Sequence, residues 1–288
     1  MDGAADATRS PPPCGEGLGV GVSPTTVPQS PHPVPPRKGE GTTAARSAPR
    51  GFDATQVWIF DLDNTLYPAD CNLFAQVDQR MGEFIARYLG VPFEYARHLQ
   101  KCYYRQFGTT LSGLMQVHGL DPKAFLDYVH DIDLSVVPAH PELAAAIDRL
   151  PGRKLIFTNG SRRHAERVAG KLGVLQCFED IFDIVTAAYV PKPTPQCYEL
   201  FLRVHGVEAG VSAMFEDMPH NLEAPHALGM TTVLVHSRST YDHPVQQKIR
   251  AWVEPPAHVH HMTDDLERFL RDLNGATPLS APRDANPT

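Results

Sequence analysis

The chain has 288 residues and a formal net charge of −7. Apolar residues make up 42% of it and charged residues 20%, which is enough apolar material for a substantial core and excludes a chain that is disordered throughout. The negative charge argues against a protein that coats nucleic acid. No stretch approaches the roughly 18 consecutive apolar residues of a membrane helix, so we predict no membrane association.

The first 50 residues differ in composition from the rest. They hold ten of the 27 prolines and no Phe, Trp or Tyr. Such a segment cannot bury enough surface to offset the entropy of ordering it, so we predict a disordered extension over residues 1–52. A proline-rich docking peptide for a partner is the alternative interpretation. Residues 275–288 are predicted to form a second disordered tail.

The cysteines and histidines give no sign of a metal or disulfide framework. The five cysteines are scattered and form no Cys-x-x-Cys pair, which favours free thiols in a reducing cytoplasm. No apolar segment of the kind found in secretory signals is present near residue 1, so we predict a cytoplasmic protein. His258, His260 and His261 lie close together in the sequence but lack a second ligand pair, and we interpret them as surface residues.

Strand and helix patterns alternate along most of the chain. The apolar run at residues 57–60 predicts a strand that is buried on both faces. Similar runs occupy residues 154–157, 212–215 and 232–235, with a weaker fifth at 181–185. Helical patterns lie between them at about 140–150, 161–172, 195–205 and 219–228. This alternation predicts an α/β fold with a doubly wound parallel sheet.

The interval after the first strand is too long for an ordinary loop. Its apolar residues recur at helical spacing and predict helices near residues 72–89, 92–106, 110–118 and 121–130. We predict a helical cap over residues 68–138, inserted into a core formed by residues 53–67 and 139–274. Ligands of open α/β sheets bind beyond the carboxyl ends of the strands, so the cap should cover the site.

Charged and polar residues follow four of the predicted strands. Asp61 and Asp63 come directly after the first strand, where two carboxylates would repel each other unless a cation lies between them. Mg²⁺ is the expected cation, because it prefers carboxylate oxygens. The acid pair at residues 216–217 closes a later strand at the same edge of the sheet.

Two further segments favour an anionic ligand. Thr158-Asn159-Gly160-Ser161 precedes a helix, and a hydroxyl with free N–H groups at a helix N-terminus can bind an anion, although Ser161 could equally be a simple helix cap. Lys192 lies in a loop that prolines hold extended. A lysine in such a loop is usually solvated, so its significance comes from the company of the other segments.

Taken in order, these four segments resemble motifs one to four of the haloacid dehalogenase superfamily over about residues 55–240. The resemblance implies a Rossmann-like core with a helical cap of the first type. It implies that Asp61 is the nucleophile that forms an aspartyl-phosphate and Asp63 the general acid and base. It also implies that Thr158, Asn159 and Lys192 bind the phosphoryl group. The implied Mg²⁺ ligands are Asp61, the main-chain carbonyl of Asp63, Asp217 and, through water, Glu216.

The cap carries a second resemblance. Residues 103–114, Tyr-Tyr-Arg-Gln-Phe-Gly-Thr-Thr-Leu-Ser-Gly-Leu, are similar to a stretch of the pyrimidine 5′-nucleotidase branch, with Phe107 where that branch commonly has Tyr. Residues 61–68 and 130–133 are also typical of the branch. The resemblance implies substrate contacts, by stacking on a base or ribose or by hydrogen bonding to it, from Tyr67, Tyr104, Thr109 and Thr110. Packing within the cap is the alternative for the tyrosines.

The activity implied is that of a phosphoric monoester hydrolase. We predict a Mg²⁺-dependent phosphatase that hydrolyses nucleoside 5′-monophosphates, UMP or CMP, with a small phosphate monoester as its partner and no nucleic acid polymer. Three alternatives stay open: a phosphatase of sugar phosphates or other small phosphometabolites, a phosphoglucomutase-like enzyme, and a non-catalytic binding protein. The complete set of five residue types at the strand ends weighs against the last.

Overall fold

The computed structural model describes residues 50–237 and 244–275. The predicted extension up to residue 49 and the predicted tail from residue 276 lie outside these ranges. The strands are β1 (Val57–Phe60), β2 (Arg153–Phe157), β3 (Asp180–Phe182), β4 (Ser212–Glu216), β5 (Thr231–Val235) and β6 (His261–Thr263). They form one parallel sheet in the order β3-β2-β1-β4-β5-β6.

Helices cover both faces of this sheet. They are α1 (Leu73–Leu89), α2 (Phe93–Phe107), α3 (Thr110–His118), α4 (Pro122–Val129), α5 (Pro141–Asp148), α6 (Arg162–Leu172), α7 (Pro195–His205), α8 (Glu223–Leu228), α9 (Pro244–Arg250) and α10 (Leu266–Gly275). Side chains of α5, α6 and α10 pack on one face and those of α7, α8 and α9 on the other. The predicted α/β, doubly wound parallel fold is confirmed.

Helices α1 to α4 lie between β1 and α5 in the chain. Their apolar stripes pack on one another, with Val77 and Ile85 of α1 and Leu99 of α2 all buried. Glycines in the left-handed region end α1 and α3, where Gly90 and Gly119 adopt φ values of 64° and 65°. The inserted segment is therefore helical, and its buried side chains are continuous with one face of the sheet.

The structure differs from the predicted elements at three places. Residues 219–228 form a 3₁₀ turn followed by the short α8, because Pro225 cannot supply the N–H that a single longer helix would need. Strand β6 and helix α10 carried no strong sequence signal. Residues 50–52, placed in the extension by composition, contact the core, since Phe52 stacks on Trp58 at 5.8 Å between ring centroids.

The beginning of the described chain is held by Arg50. Its guanidinium donates to the carbonyl oxygens of Gly210, at 3.0 Å, and Gly229. Its own carbonyl oxygen lies 2.7 Å from Nε2 of His261 in β6. These contacts join the segment before β1 to the far side of the sheet. No helix among the described residues combines the length and apolar character needed to cross a bilayer.

Candidate active site

The predicted site residues meet at the carboxyl edge of the sheet. Phe60, the last residue of β1, pairs with Ile156 of β2 on one side and Phe215 of β4 on the other. Because all three strands are parallel and in this register, the residues that follow them emerge side by side. Asp61 therefore lies between the segment that begins at Thr158 and the acid pair that ends β4.

Lys192 reaches into this edge from the loop before α7. Its side chain is buried, and Nζ donates to Oδ1 of Asp61 at 2.7 Å, to Oε1 of Glu216 at 2.7 Å and to the carbonyl oxygen of Phe157 at 2.9 Å. All three ammonium protons are thus used. Both carboxylates press the pKa of Lys192 upward against the effect of burial, so the ammonium keeps its charge.

The carboxylates outnumber the cation. Burial raises the pKa of Asp61 to about 7, although Lys192 opposes the shift. Burial, followed by the charges of Glu216 and Asp61, raises the pKa of Asp217 well above its usual range. For Glu216, burial is outweighed by Lys192 and by hydrogen bonds from Met218 N and the Asn221 amide, so its pKa is lowered. The site has an excess of negative charge that a further cation would relieve.

A divalent cation fits this site. Asp61, Glu216 and Asp217 each offer a carboxylate oxygen, these oxygens lie within 4.8 Å of one another, and all three side chains are buried. Oxygen donors of this kind suit Mg²⁺. Both oxygens of Glu216 already accept hydrogen bonds from protein groups, which leaves Asp61 and Asp217 as the freer ligands.

Mg²⁺ should therefore stabilise the fold. At about 100 times its Kd, binding to the folded state alone would raise the free energy of unfolding by about 2.7 kcal/mol, or Tm by roughly 5–10 °C for a domain of this size. Thermal unfolding at pH 8 with Mg²⁺ or with EDTA measures this shift, and NaCl of equal ionic strength is the control. Asp217→Asn should abolish the shift. An equal shift in that variant would place the ion elsewhere.

Asp63 lies two residues beyond Asp61 and has partners of its own. Tyr67 Oη donates to Asp63 Oδ1 at 2.6 Å, and Nε2 of His164 lies 2.9 Å from the same oxygen. Burial alone would raise the pKa of Asp63, but His164 and Tyr67 outweigh it and the pKa is lowered. Tyr67, predicted to contact substrate, is only 1% exposed, and its hydroxyl is used by Asp63 instead.

His164 is held by a second histidine. The ring of His130, which follows α4, stacks on it with centroids 4.3 Å apart and planes 13° apart. His130 Nδ1 lies 3.0 Å from Oγ of Ser161, the residue that caps α6. Burial, and then the neighbouring His164, lowers the pKa of His130 to about 3, so this ring is neutral at physiological pH.

Asn159 has a different role from the predicted one. Its side chain pairs with the main chain of Lys192, since Nδ2 donates to the carbonyl oxygen at 3.2 Å and Oδ1 accepts from the N–H at 2.9 Å. The amide thus joins two loops of the site and has no free end for a phosphate. Thr158 Oγ1 accepts from Gly160 N at 2.9 Å, which leaves its hydroxyl proton free to donate to a ligand.

The cap residues divide into two groups. Tyr104 is 44% exposed, and burial of its hydroxyl end together with Asp217 and Glu216 raises its pKa, so this side chain faces the acids. Thr109 caps α3 by accepting from Ser112 N, and the buried Thr110 donates to the Gln100 carbonyl oxygen at 3.3 Å. The prediction that the threonine hydroxyls serve substrate is replaced by these structural contacts, because both lie where α2 meets α3.

The three clustered histidines are not simple surface residues. All three are partly buried, and His261 lies in β6. His260 Nδ1 accepts from Thr232 N at 3.1 Å, and the carbonyl oxygen of His258 accepts from Thr232 Oγ1 at 2.8 Å. They connect β5 to the segment that precedes β6. Within the part of the chain that the structure describes, only the acidic group at the sheet edge has the spacing of a metal site.

Two functional candidates escaped sequence reasoning. His164 lies three residues after the cap Ser161, a spacing that places it in the first turn of a helix that begins at the site. Its position after the Thr-Asn-Gly segment was the available signal. Asn221 donates to Glu216 Oε1 at 2.7 Å from the turn before α8, and no pattern distinguished it from an ordinary turn asparagine.

Comparison with known proteins now bears on this geometry. A family model described as haloacid dehalogenase-like hydrolase matches residues 55–229, which span the described strands β1 to β4 and the site between them. The chain belongs to this family. The predicted superfamily is thereby confirmed, and the protein is a haloacid dehalogenase-like hydrolase. The fold, the acid cluster and the inserted helices are described below in that light.

Individual relatives of this hydrolase are more distant. Phosphate metabolism protein 8 of Saccharomyces cerevisiae is 27% identical over 199 residues, which cover 63% of this chain. The aligned region spans 61% of the yeast protein's length. A HAD phosphatase from Thermococcus onnurineus superposes with a TM-score of 0.50 at 16% identity, covering 77% of this chain and 99% of that one. This likeness supports the fold alone.

A third structure is similar over the same region. A putative β-phosphoglucomutase from Thermotoga maritima superposes with a TM-score of 0.48 at 19% identity, covering 77% of this chain and all of that one.

Proposed function

We propose that this hydrolase is a Mg²⁺-dependent phosphatase of small phosphate monoesters that works through an aspartyl-phosphate on Asp61. The observation that carries the proposal is the buried pairing of Asp61 with Lys192 at 2.7 Å, beside further carboxylates and two residues before Asp63. A carboxylate aimed by a lysine, at a site suited to a divalent cation, is what attack on an anionic phosphorus needs.

Each residue has a defined task in this reaction. Asp61 Oδ2, whose printed partner is the Thr65 hydroxyl at 3.3 Å, attacks phosphorus while Lys192 holds Oδ1. The Thr158 hydroxyl donates to a phosphoryl oxygen. A bound Mg²⁺ supplies positive charge that screens the phosphoryl group from the carboxylates. Asp63 gives a proton to the leaving oxygen and later takes one from the water that cleaves the aspartyl-phosphate.

Asp63 favours a phosphatase over a dehalogenase within the family. A phosphate ester releases an alkoxide that must be protonated, whereas a halide leaves without a proton. Asp63 is placed for this task, because it lies beside Asp61 in the chain and its carboxylate is held by Tyr67 and His164. The name of the yeast relative, which refers to phosphate metabolism, supports the same choice.

For the substrate we propose nucleoside 5′-monophosphates, UMP or CMP. Support comes from the cap stretch at residues 103–114 and from Tyr104, whose exposed ring beside the acids can stack on a base. Sugar phosphates and other small phosphometabolites are the second candidate. The hydrogen bonds of Thr109 and Thr110 within the cap favour it, since they leave fewer groups to recognise a base.

Phosphate release from a panel of esters tests both levels of this proposal. The panel contains UMP, CMP, AMP and hexose phosphates, each assayed with Mg²⁺ and with EDTA. We expect turnover that requires Mg²⁺ and is fastest with UMP or CMP. Absence of turnover with every ester would refute the phosphatase, and preference for a hexose phosphate would refute only the nucleotidase. Accumulation of an isomerised sugar phosphate without net phosphate release would indicate a mutase.

A further inference from the structure

The two carboxylate oxygens of Asp63 are not equivalent. Oδ1 receives the Tyr67 hydroxyl at 2.6 Å and faces Nε2 of His164 at 2.9 Å. Among the described residues, no group donates to Oδ2. Oδ2 lies over the loop that follows β2, because a Cβ placed on Gly160 would be 3.7 Å from it. This loop begins with Thr158, so Oδ2 is the oxygen on the side of the proposed phosphoryl site.

The groups that hold Oδ1 cannot easily move. Tyr67 and His164 are each 1% exposed, so their side chains are fixed by packing. His164 is further fixed by the stacked ring of His130 and by its place in the first turn of α6. Burial and the nearby Asp63 carboxylate raise the pKa of Tyr67 well above its usual range, which keeps this phenol a hydrogen-bond donor.

The second ring nitrogen of His164 indicates which tautomer is present. Nδ1 is buried and has no hydrogen-bond partner among the described residues. A proton on Nδ1 would be a buried N–H without an acceptor, which is costly. With the proton on Nε2, the ring donates to Asp63 Oδ1 and buries no N–H unpaired. Oδ1 then accepts two hydrogen bonds, which occupy both of its in-plane lone pairs.

We propose that Tyr67 and His164 are positioning residues that hold Asp63 by Oδ1 and thereby assign its proton transfers to Oδ2. A proton on Oδ1 would displace one of two buried donors, whereas Oδ2 is free. This inference rests on the proposed phosphatase function, which it deepens. Neither residue touches substrate in it; both act through the orientation of one carboxyl group.

The proton balance of the reaction is then explicit. In the first half, a bond forms between Asp61 and phosphorus, the ester P–O bond breaks, and the leaving oxygen keeps the electron pair and takes the proton from Oδ2 of Asp63. In the second half, water attacks the aspartyl-phosphate while Oδ2 takes a proton from that water. Phosphate leaves, the Asp61 carboxylate is restored, and Asp63 is again protonated for the next ester.

Variants of the two positioning residues test this with a pair of substrates. Tyr67→Phe removes only a hydroxyl, His164→Leu removes the imidazole donor, and His164→Gln restores an N–H. The substrates are the best alkyl phosphate of the ester panel and p-nitrophenyl phosphate, whose leaving group is stable without a proton. The measured quantity is kcat/KM, which reports the steps up to release of the alcohol, with KM measured separately and Tm recorded for every variant.

We expect kcat/KM for the alkyl phosphate to fall about tenfold in Tyr67→Phe and more in His164→Leu, part of the roughly 10²–10⁴-fold that proton transfer contributes. The fall with p-nitrophenyl phosphate should be several-fold smaller, KM should change little, and His164→Gln should recover much of the loss. Equal falls on both substrates, or a change confined to KM, would overturn the positioning role. Wild-type protein inactive on both would refute the phosphatase instead.

Discussion

Asp61→Asn is expected to abolish phosphate release, with a loss of at least about 10³-fold in kcat. The amide keeps the shape of the carboxylate, and its oxygen can still accept from Lys192, which now bonds Asp61 Oδ1 at 2.7 Å. It cannot form the covalent bond to phosphorus. The variant should keep its Tm within a few degrees of the wild type, since burial raises the pKa of Asp61 to about 7 and the neutral amide removes that cost.

The measurement combines steady-state phosphate release with mass spectrometry of the quenched enzyme. Wild-type protein should carry a phosphoryl group on the peptide that contains Asp61, and the variant should not. Asp148→Asn, a matched change at an exposed position of α5, is the control and should leave both readings unchanged. Activity above a tenth of the wild-type value in Asp61→Asn would show that another group is the nucleophile.

Lys192→Met is expected to lower stability more than other single substitutions at the site. Lys192 lies between Asp61 and Glu216, all three side chains are buried, and removing one partner of a buried ion pair costs about 3–5 kcal/mol. For a domain of this size the Tm should fall by roughly 10 °C. Activity should be lost as well, because Asp61 loses the group that aims it.

The loss should depend on pH. Lys192 lowers the folded-state pKa values of Asp61 and Glu216, so without it both rise further above their unfolded values. The folded variant then binds protons that the unfolded chain does not, and its stability increases as the pH falls. The Tm difference from wild type should therefore be larger at pH 8 than at pH 5.5. Lys101→Met, at an exposed position of α2, should show no such difference. A pH-independent loss would assign the effect to packing alone.

The sequence predicted where the site is but not how its parts contact one another. Strands β1, β2 and β4 are continuous apolar runs, and parallel pairing then brings the residues after each run to one edge. Strand β6 has three half-buried residues beginning with His261, so no apolar run announced it. Position in a motif did not reveal that Asn159 pairs with the main chain of Lys192, because an amide can bond a phosphate or a peptide group equally well.

The cap shows the same limit. The helical period located α1 to α4 to within two residues, because each buries one stripe of side chains. The hydroxyls of Tyr67, Thr109 and Thr110 were assigned to substrate on their chemistry alone. Their partners are other protein groups, which depend on how helices pack and on which side chains are buried. Only tertiary contacts decide between these uses of a hydroxyl.

The sequence distances within the site have a consequence for folding. Lys192 bonds Asp61 across 131 residues, and His164 meets Asp63 across 101. Contacts between such distant residues form slowly, since a long loop must close before they are made. Until then the acids at the ends of β1 and β4 are unpaired and stay solvated. The pocket is therefore assembled late, and in refolding experiments recovery of phosphate release should follow, rather than accompany, the return of helical circular dichroism.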